Sequence, residues 1–348
     1  MNPALSDLDP ACYAPYRDPR DYILSWTDEI WVRQTPGLIR DHYGQSVKVH
    51  TAYAETYDLE LVIQNSLQKM AAFPNGGGGV GEDVIWEPRG SNGFISSHRV
   101  LKCGSHLGHW TYGPPTGRDY VSRTVAHCLV RDGRIVEEWL ARDEYAVLTC
   151  LGIDPWAIAA ELALRTPVTG AALAAGEESQ AFAGRIADPA RLGVSGARPA
   201  THPEECALVK GFFDEVWNRR LFHRASAYVS ERVVLHTVRM KRAHGRQGYE
   251  SELIDLLARF PDCELEIRDI AVCEGDELGK RIAVIWLLRG RYCGIPFYGP
   301  VNNAPVTILG ASHFEIQDGR LLREWRVFDE IAVMAQILRH GGGKGAGA

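Results

Sequence analysis

Two stretches of the sequence decide its fold, because the second repeats the first: DGRIVEEWLARDEYAV at residues 132–147 and DGRLLREWRVFDEIAV at residues 318–333. The offset between them is 186 positions, and the same offset aligns VKVHT at residues 47–51 with VVLHT at residues 233–237. Self-similarity at one offset across about a hundred residues is typical of a duplicated unit. The chain is therefore predicted to contain two copies of one globular domain.

The composition is that of a folded two-domain protein. The chain has 348 residues, a net charge of −6, 45% hydrophobic residues and 24% charged residues, and domains typically contain about 100–200 residues. The mild acidity disfavours nucleic acid as a partner, since no basic excess is present to neutralise phosphates. No apolar stretch reaches the roughly 18–20 residues of a membrane span, and the N-terminus lacks a secretory signal pattern. The eight cysteines lie far apart, with no CxxC, which favours a cytoplasmic location.

The repeat also sets the predicted domain boundaries. Between the copies the sequence is rich in Ala, Gly and Ser, which is typical of a linker, and the chain ends in GGGKGAGA. The predicted parts are an N-terminal extension at 1–20, a first domain at 21–165, a linker at 166–202, a second domain at 203–340 and a flexible tail at 341–348.

Each copy begins with helical patterns and continues with strand patterns only. Apolar residues recur at helical spacing in residues 206–218, whereas the segments after the Phe–Pro dipeptides at 73–74 and 260–261 have the character of strands. The Asp–Gly pairs at 132–133 and 318–319 are hairpin signals. This order predicts α+β domains in which a strongly curved antiparallel sheet wraps around helices. Such a sheet leaves an apolar cone, a natural pocket for a small molecule.

Several short motifs carry a resemblance to a known family. They are Trp217–Asn218, Phe–Pro–Asp at 260–262, Glu–Gly–Asp at 274–276, the Tyr–Gly–Pro turns at 112–114 and 298–300, and DGRxxxEWxxxD in both copies. In these motifs the chain resembles the SnoaL-like polyketide cyclase family, which lies within the NTF2-like superfamily. The resemblance implies two tandem NTF2-like cone domains, and acid–base catalysis with no metal or organic cofactor.

Polar residues present in both copies of the predicted sheet are the candidate catalytic residues. They are His127 and His313 in the penultimate strand, and Asp143 and Asp329 at the end of the last strand. A carboxylate or an imidazole in an apolar cone has a pKa displaced toward neutrality, so it can both accept and return a proton. The alternative for the two aspartates is a cap or a salt bridge at the strand end.

The register of the Asp–Gly hairpin decides whether these residues share a face of the sheet. A two-residue loop pairs His127 with Glu138 and turns Asp143 to the other face. A three-residue loop with a bulge pairs His127 with Trp139 and places Asp143 on the same face as the histidine. The sequence leaves both registers open. We favour the bulge, because Trp139 and Trp325 have the character of pocket or core walls and the resemblance places an aspartate–histidine pair on this sheet.

Six further residues are predicted to bind substrate: His50, Tyr112, Trp139, His236, Tyr298 and Trp325. The two histidines end an early strand in each copy, and the two tyrosines belong to the Tyr–Gly–Pro turns. A tyrosine hydroxyl in such a turn can donate to a developing oxyanion. The alternatives are hydrogen-bonded core histidines, turn aromatics and core tryptophans.

Extra histidines make the first copy the more polar one, and we expect the active chemistry there. His106 and His109 are three positions apart, which in a strand places them on opposite faces. No cluster of carboxylates or cysteines lies nearby, so no metal site is predicted.

The predicted function is that of a cofactor-independent acid–base enzyme, a lyase or isomerase of the aldol or ester cyclase, dehydratase or hydrolase type. Its substrate would be a small carbonyl compound or ester in an apolar pocket. The alternative is a non-catalytic ligand-binding or scaffold protein. In either case the two domains are expected to form an intramolecular pseudo-dimer, with a homodimer of the chain as a further option.

Overall fold

The computed structural model describes residues 3–75, 79–165, 202–274 and 279–342. The predicted linker at 166–202, apart from its last residue, and residues 343–348 of the predicted tail lie outside the described residues. Within the described ranges, no helix is long and apolar enough to cross a membrane.

The first domain has helices at its start and end and a long run of strands between them. The elements are α1 (Pro19–Thr27), α2 (Ile39–His42), β1 (Tyr43–His50), β2 (Glu55–Thr56), α3 (Leu59–Ala72), β3 (Gly79–Pro88), β4 (Gly93–Ser105), β5 (Asp119–Arg131), β6 (Arg134–Arg142), α4 (Glu144–Leu151) and α5 (Pro155–Leu164).

The second domain repeats this order. Its elements are α6 (Pro203–Phe212), α7 (Ala225–Tyr228), β7 (Val229–His236), β8 (Arg242–His244), α8 (Gly245–Arg259), β9 (Glu264–Cys273), β10 (Arg281–Tyr292), β11 (Ala304–Gln317), β12 (Arg320–Phe328) and α9 (Glu330–Gly342).

Each domain contains one six-stranded sheet, and the strand orders of the two sheets match. The first sheet runs β2-β1-β6-β5-β4-β3 and the second runs β8-β7-β12-β11-β10-β9. The predicted α+β class is confirmed, with one difference: the sheets are mixed, since β1 pairs parallel to β6 and β7 pairs parallel to β12. Parallel neighbours need a long crossover connection, and here it contains a helix and the other strands of the domain.

The hairpin register places the candidate residues. Asp132 and Gly133 both have positive φ angles, as a two-residue hairpin loop requires. A bulge follows within the strands rather than in the loop, and it brings His127 opposite Trp139. The favoured pairing is therefore confirmed, although the extra residue lies in β6. The second copy repeats this arrangement, with His313 opposite Trp325.

The two sheets pack against each other through their outer faces. The inner face of each sheet covers the helices of its own domain. Between the sheets lies an apolar cluster with residues from both domains: Val125, Ala141, Ile285, Leu287, Leu309, Ala311 and Val327. Because successive side chains of a strand point to opposite faces, each strand therefore contributes alternately to its own cone and to the layer between the domains. We call this layer the intersheet layer.

Candidate active site

The two predicted catalytic histidines lie in the intersheet layer. His127 is fully buried, and its Nε2 is 3.0 Å from Oδ2 of Asp269 in the second domain. His313 contacts the first domain, with Nε2 2.7 Å from Oγ of Ser97 and Nδ1 3.2 Å from Nη1 of Arg99. Burial, and then the charge of Arg99, lowers the pKa of His313 well below its ordinary value. Both histidines thus face the other domain and not the interior of their own cone.

The two predicted catalytic aspartates cap helices and also contact the opposite domain. Asp143 is the N-cap of α4, and its Oδ2 accepts a hydrogen bond from the backbone N–H of Met240 at 3.2 Å. Asp329 accepts from two backbone N–H groups in the first turn of α9 and from the Tyr53 hydroxyl at 2.7 Å. Each aspartate therefore fixes a loop of the other domain to the start of the helix that follows the last strand of its own sheet.

Burial changes the proton affinity of both aspartates. It raises the pKa of Asp143 to about 6, against the effect of the backbone N–H groups that donate to the carboxylate. It raises the pKa of Asp329 to about 8, and the nearby Glu144 carboxylate acts in the same direction. Asp329 thus holds a proton at a pH where an ordinary aspartate has lost it.

The predicted histidine and tryptophan pairs stack in the same way in the two domains. The His50 and Trp139 rings are 5.0 Å apart and inclined by 3°, and the His236 and Trp325 rings are 5.2 Å apart and inclined by 5°. The Arg99 guanidinium lies over the Trp325 ring at 3.7 Å from its centre. Burial, followed by nearby arginines, lowers the pKa of His236 to about 4. Trp139 and Trp325 alternate with the inward residues of β6 and β12, so these pairs belong to the outer face.

The predicted tyrosines each lie beside the first glutamate of the helix that follows the last strand of the sheet, α4 in the first domain and α9 in the second. Tyr112 donates a hydrogen bond to Oε2 of Glu144 at 3.3 Å. Tyr298 donates to Oε1 of Glu330 at 2.6 Å and accepts from Nη1 of Arg259 at 2.9 Å. The sequence therefore identified two tyrosines in equivalent positions of the two copies, but it did not reveal that each has a glutamate as its partner.

The cone of the second domain is filled by a closed polar network. Glu324 accepts from Nε and Nη2 of Arg326 at 2.9 and 2.8 Å, from the Ser312 hydroxyl at 2.8 Å and from the Tyr249 hydroxyl. Trp286 completes the network by donating to the Ser312 hydroxyl at 3.1 Å. All five side chains are buried. Each glutamate oxygen has two partners, so this carboxylate has no free lone pair for a substrate.

Trp286 occupies this cone because the opposite strand leaves room for it. A Cβ atom built on Gly310 would lie 2.1 Å from Cζ2 of Trp286, far inside any van der Waals contact. At the mouth of this cone a small pocket of about 20 Å³ remains, with Arg259, Phe297 and Glu330 among its lining residues. Arg326 also lines this pocket, so the filled cone lies behind it.

The cone of the first domain lacks these bulky side chains. By strand register, the counterparts of Trp286, Ser312 and Arg326 are Val100, Ala126 and Leu140, all smaller. The counterpart of Tyr249, counted back from the phenylalanine that follows each helix, is Val62. Ala126, Leu140 and Val62 keep some solvent exposure although they belong to the inner face or the helix beneath it, whereas Ser312, Arg326 and Tyr249 are buried. Solvent thus reaches the interior of this cone.

Glu138 is the buried carboxylate of the open cone. It lies at the position of Glu324 in the other copy, but its hydrogen-bond partner among the described residues is the Tyr43 hydroxyl at 3.2 Å. Burial raises the pKa of Glu138, although the charges of Arg142 and Lys102 and the Tyr43 hydrogen bond act in the opposite direction. Such a carboxyl group can exchange a proton closer to neutral pH than an exposed glutamate.

Three buried polar groups in this cone have no hydrogen-bond partner among the described residues: Nε1 of Trp26, Oγ of Ser96 and Nε2 of His98. Ser96 lies in one cross-strand row with Glu138, because Cys128 of β5 pairs with both. The Trp26 ring packs edge-on to the ring of Tyr43, 5.9 Å away. Buried polar groups are nearly always paired, so these unpaired groups near the carboxylate point to a ligand position.

In the second domain the counterparts of Ser96 and Trp26 are the apolar residues Ile282 and Phe212. The one comparable donor among the described residues of that cone is Nε1 of Trp217, which is buried without a hydrogen-bond partner and packs against Trp286. Metal ligation finds no support in the described parts of either domain, where no group of three His, Cys, Asp or Glu side chains is arranged to hold an ion. His106 instead hydrogen-bonds to Thr116 at 3.3 Å.

Glu138, Ser96 and Trp26 were missed in the sequence, although one signal was available. Glu138 and Glu324 are the repeated glutamate of the DGRxxxEW motif, which was used for alignment and not for chemistry. A second signal was the pair of replacements Ser96 to Ile282 and Trp26 to Phe212, but their meaning depends on knowing which face of each element is the inner one.

These observations define a tandem α+β protein, with two mixed six-stranded sheets that are each packed with helices, consistent with two NTF2-like domains. The comparison with family models finds a match in the second domain, where residues 207–337 match the model of the SnoaL-like polyketide cyclase family. The resemblance recognised in the sequence is thus confirmed for the C-terminal domain. No curated protein matches the chain.

Three solved structures that are similar to this chain each cover about two fifths of it. A candidate SnoaL-like polyketide cyclase from Jannaschia sp. CCS1 is 22% identical over 40% of this chain and 96% of its own, with a TM-score of 0.36. A candidate polyketide cyclase from Acidithiobacillus ferrooxidans is 21% identical over 40% and 97%, with a TM-score of 0.34. IdmH, a candidate polyketide cyclase from Streptomyces antibioticus, is 22% identical over 37% and 96%, with a TM-score of 0.32.

Proposed function

We propose that the protein is a cofactor-independent acid–base enzyme that acts on a small carbonyl compound or ester in the cone of the first domain. The observation that carries this proposal is the position of Glu138, a buried carboxyl group that lies in one cross-strand row with Ser96, whose hydroxyl has no hydrogen-bond partner in the described residues, in a cone whose inner residues keep some solvent exposure. The second domain, with its closed network around Glu324, serves as a scaffold.

In the proposed reaction Glu138 acts as a general base and then as a general acid. The C–H bond next to the substrate carbonyl breaks, its electron pair forms the enolate and its proton passes to a Glu138 oxygen. Ser96 Oγ–H and Trp26 Nε1–H donate to the enolate oxygen, where the negative charge develops. Return of the proton from Glu138 to another carbon of the enolate gives isomerisation. If the enolate instead expels a β-hydroxyl group, the C–O bond breaks and the proton leaves with it as water, which is elimination; if the enolate attacks a second carbonyl, the new alkoxide takes the proton and an aldol product forms. The raised pKa of Glu138 suits both directions of transfer.

The residues predicted from the sequence act from outside this cone in the proposal. His127 and Asp143 connect the outer face of the first sheet to the second domain, and His313 and Asp329 do the reverse. A direct part of these four residues in proton transfer stays a prediction. The double variant Asp143→Asn with Asp329→Asn tests it, because a mainly structural part predicts lowered stability with turnover retained in the folded fraction.

Proton exchange tests the proposed chemistry without knowledge of the natural substrate. Cyclohexanone, methyl 4-oxopentanoate and 4-oxopentanoate are incubated with the protein in D₂O, and loss of the hydrogens next to the ketone is followed by NMR. We expect exchange above the uncatalysed rate with at least one probe and a decrease of about 10²-fold or more in Glu138→Gln, as is typical for removal of a general base. Ser96→Ala is expected to lower the rate less, by roughly tenfold or more.

Glu137→Gln is the matched control, since Glu137 adjoins Glu138 in β6 but points to the opposite face and contacts His50. Full exchange by Glu138→Gln would contradict the assignment of the base. The alternative, a non-catalytic ligand-binding or scaffold protein, is favoured by the filled second cone. It predicts binding of these probes with no exchange by the parent protein.

A further inference from the structure

We infer that the cone of the first domain recognises a ligand with an anionic group at one end, and that Lys69, Lys102 and Arg142 hold this group at the mouth of the cone. This inference rests on the function proposed above. We call these three residues the cationic mouth. The ligand would extend from there to the carboxyl group of Glu138.

The three cations come from three different elements and meet at the same end of the cone. Lys69 lies in the last turn of α3, Lys102 near the end of β4, and Arg142 is the last residue of β6. On β5, Lys102 pairs with Ser122 and Arg142 pairs with Thr124, two positions apart and therefore on one face. After burial, the charges of Lys69 and Arg142 lower the pKa of Lys102, while the carboxylates of Glu138 and Glu144 act in the opposite direction.

None of the three cations makes an ion pair with a residue in the described ranges. Arg142 Nε is buried without a hydrogen-bond partner there, and Lys69 Nζ lies 5.6 Å from the centre of the Trp110 ring. Burial lowers the pKa of Lys69 to about 8. Unpaired cations at a partly closed site cost folding free energy, and an anionic ligand would offset that cost and favour the protonated form of Lys102.

The fold itself does not require these cations. The counterparts of Lys69, Lys102 and Arg142 in the second domain are Leu256, Leu288 and Phe328, and that domain has the same sheet. The cationic mouth is therefore present in the domain whose cone is open and absent from the domain whose cone is filled. This coincidence is the main argument that the charges serve a ligand.

The register also limits the length of the ligand. Glu138 pairs with Cys128 and Arg142 with Thr124, four positions apart along β5. At about 3.3 Å per residue this separates the two levels by about 13 Å. The walls between them include Ala126 and Leu140. The expected ligand has an anionic end, an apolar middle and a carbonyl end over roughly this length.

Two fluorescent dyes that differ in charge test this inference. 8-Anilinonaphthalene-1-sulfonate has a sulfonate that its neutral analogue N-phenyl-1-naphthylamine lacks. We expect the parent protein to bind the sulfonate dye, and Arg142→Leu and Lys102→Leu each to weaken that binding about tenfold, with neutral-dye affinity unchanged within a factor of two. Lys241→Leu, which removes a cation at the pocket of the second domain, should change neither affinity. Arg142→Lys should restore much of the loss, which excludes misfolding as its cause.

Each other outcome of the dye experiment overturns the inference. If sulfonate binding survives both leucine substitutions, the cations do not hold an anion. If both dyes lose affinity equally, the residues shape the cone and charge plays no part. Displacement of the bound dye by octanoate or by octyl phosphate then identifies the anionic group as a carboxylate or a phosphate, whereas displacement by octanol alone, or by neither anion, also overturns the inference. Glu138→Gln should keep dye binding, so failure of the proposed catalysis can be told from failure of this site.

Discussion

At the scale of single residues, the same glutamate carboxylate has a different role in each of the two copies. Glu138 and Glu324 occupy one position of the repeat, but Glu324 is saturated by Arg326, Ser312 and Tyr249, whereas Glu138 contacts Tyr43. A carboxylate with four hydrogen bonds is a structural group, and one with a single neutral partner remains available for proton transfer. Position in the sequence alone could not separate these two states, because the decisive residues lie on other strands and on a helix.

The raised pKa of Asp329 predicts a pH dependence of stability. Its pKa is about 8 in the folded protein and about 3.9 in an unfolded chain. The folded state therefore binds more protons in this interval, and the contribution of Asp329 to the free energy of unfolding falls as the pH rises from about 4 to about 8. Relative to the parent, Asp329→Asn should become more stable across this window, as measured by urea unfolding at several pH values.

Asp143→Asn is the natural comparison, because burial raises the pKa of Asp143 only to about 6. Its relative gain in stability should end near pH 6. Identical profiles for the two variants would mean that the two aspartates have the same pKa in the folded protein, and a flat difference from the parent for Asp329→Asn would mean that Asp329 is ionised across the range.

At the scale of elements, the sequence predicted helices followed by strands, but it missed the helices α4, α5 and α9 that end the two domains and could not assign the faces of the strands. The repeat, the Phe–Pro stops and the Asp–Gly hairpins led to the α+β class and the favoured pairing of His127 with Trp139. The sequence could not show which face of each sheet lines the cone. Both faces of these strands are buried, so apolar and polar residues do not alternate in a way that distinguishes them. The histidines, buried between two sheets, have the same burial that a cone would give them.

The difference between the cones can be tested by transferring the filling of one cone to the other. Val100→Trp combined with Thr124→Gly reproduces the Trp286 and Gly310 pair of the second domain at matched positions of the first. We expect a folded protein, by circular dichroism, with at least tenfold weaker binding of N-phenyl-1-naphthylamine and no ketone exchange. Thr124→Gly alone, which removes volume, should keep both properties. Unchanged binding in the double variant would place the ligand elsewhere.

At the scale of the whole molecule, buried ion pairs and apolar contacts hold the two domains together. Asp83 of β3 pairs with Arg281 of β10 across the intersheet layer and with Arg20 at 3.4 Å, and Asp83 and Arg281 are both buried. Asp83→Asn removes the charged acceptor that Arg281 and Arg20 share, and loss of a hydrogen bond to a charged group commonly costs about 1.5–3 kcal/mol. The variant should therefore lower the free energy of unfolding by roughly this amount, as measured by denaturant titration.

Asp318→Asn is the control for this measurement, because Asp318 lies in a hairpin turn with positive φ, where asparagine is equally suited, and its change should stay within about 0.5 kcal/mol. An equally small effect of Asp83→Asn would mean that the ion pair contributes little to the joining of the domains. A homodimer of the whole chain stays a separate prediction, which analytical ultracentrifugation tests directly.

The joining of two unlike cones in one polypeptide has a consequence for how this protein can change. In an assembly of identical subunits, every mutation appears in all of them, so a tryptophan that fills the cone of one subunit fills the cone of every other subunit as well. Here Trp286 and Val100 are encoded separately, and each half can accept a substitution that would ruin the other. The second domain can therefore evolve as a rigid scaffold while the first domain keeps a cone with charged residues and room for a ligand. The pair behaves as a heterodimer whose two partners can never be exchanged or lost.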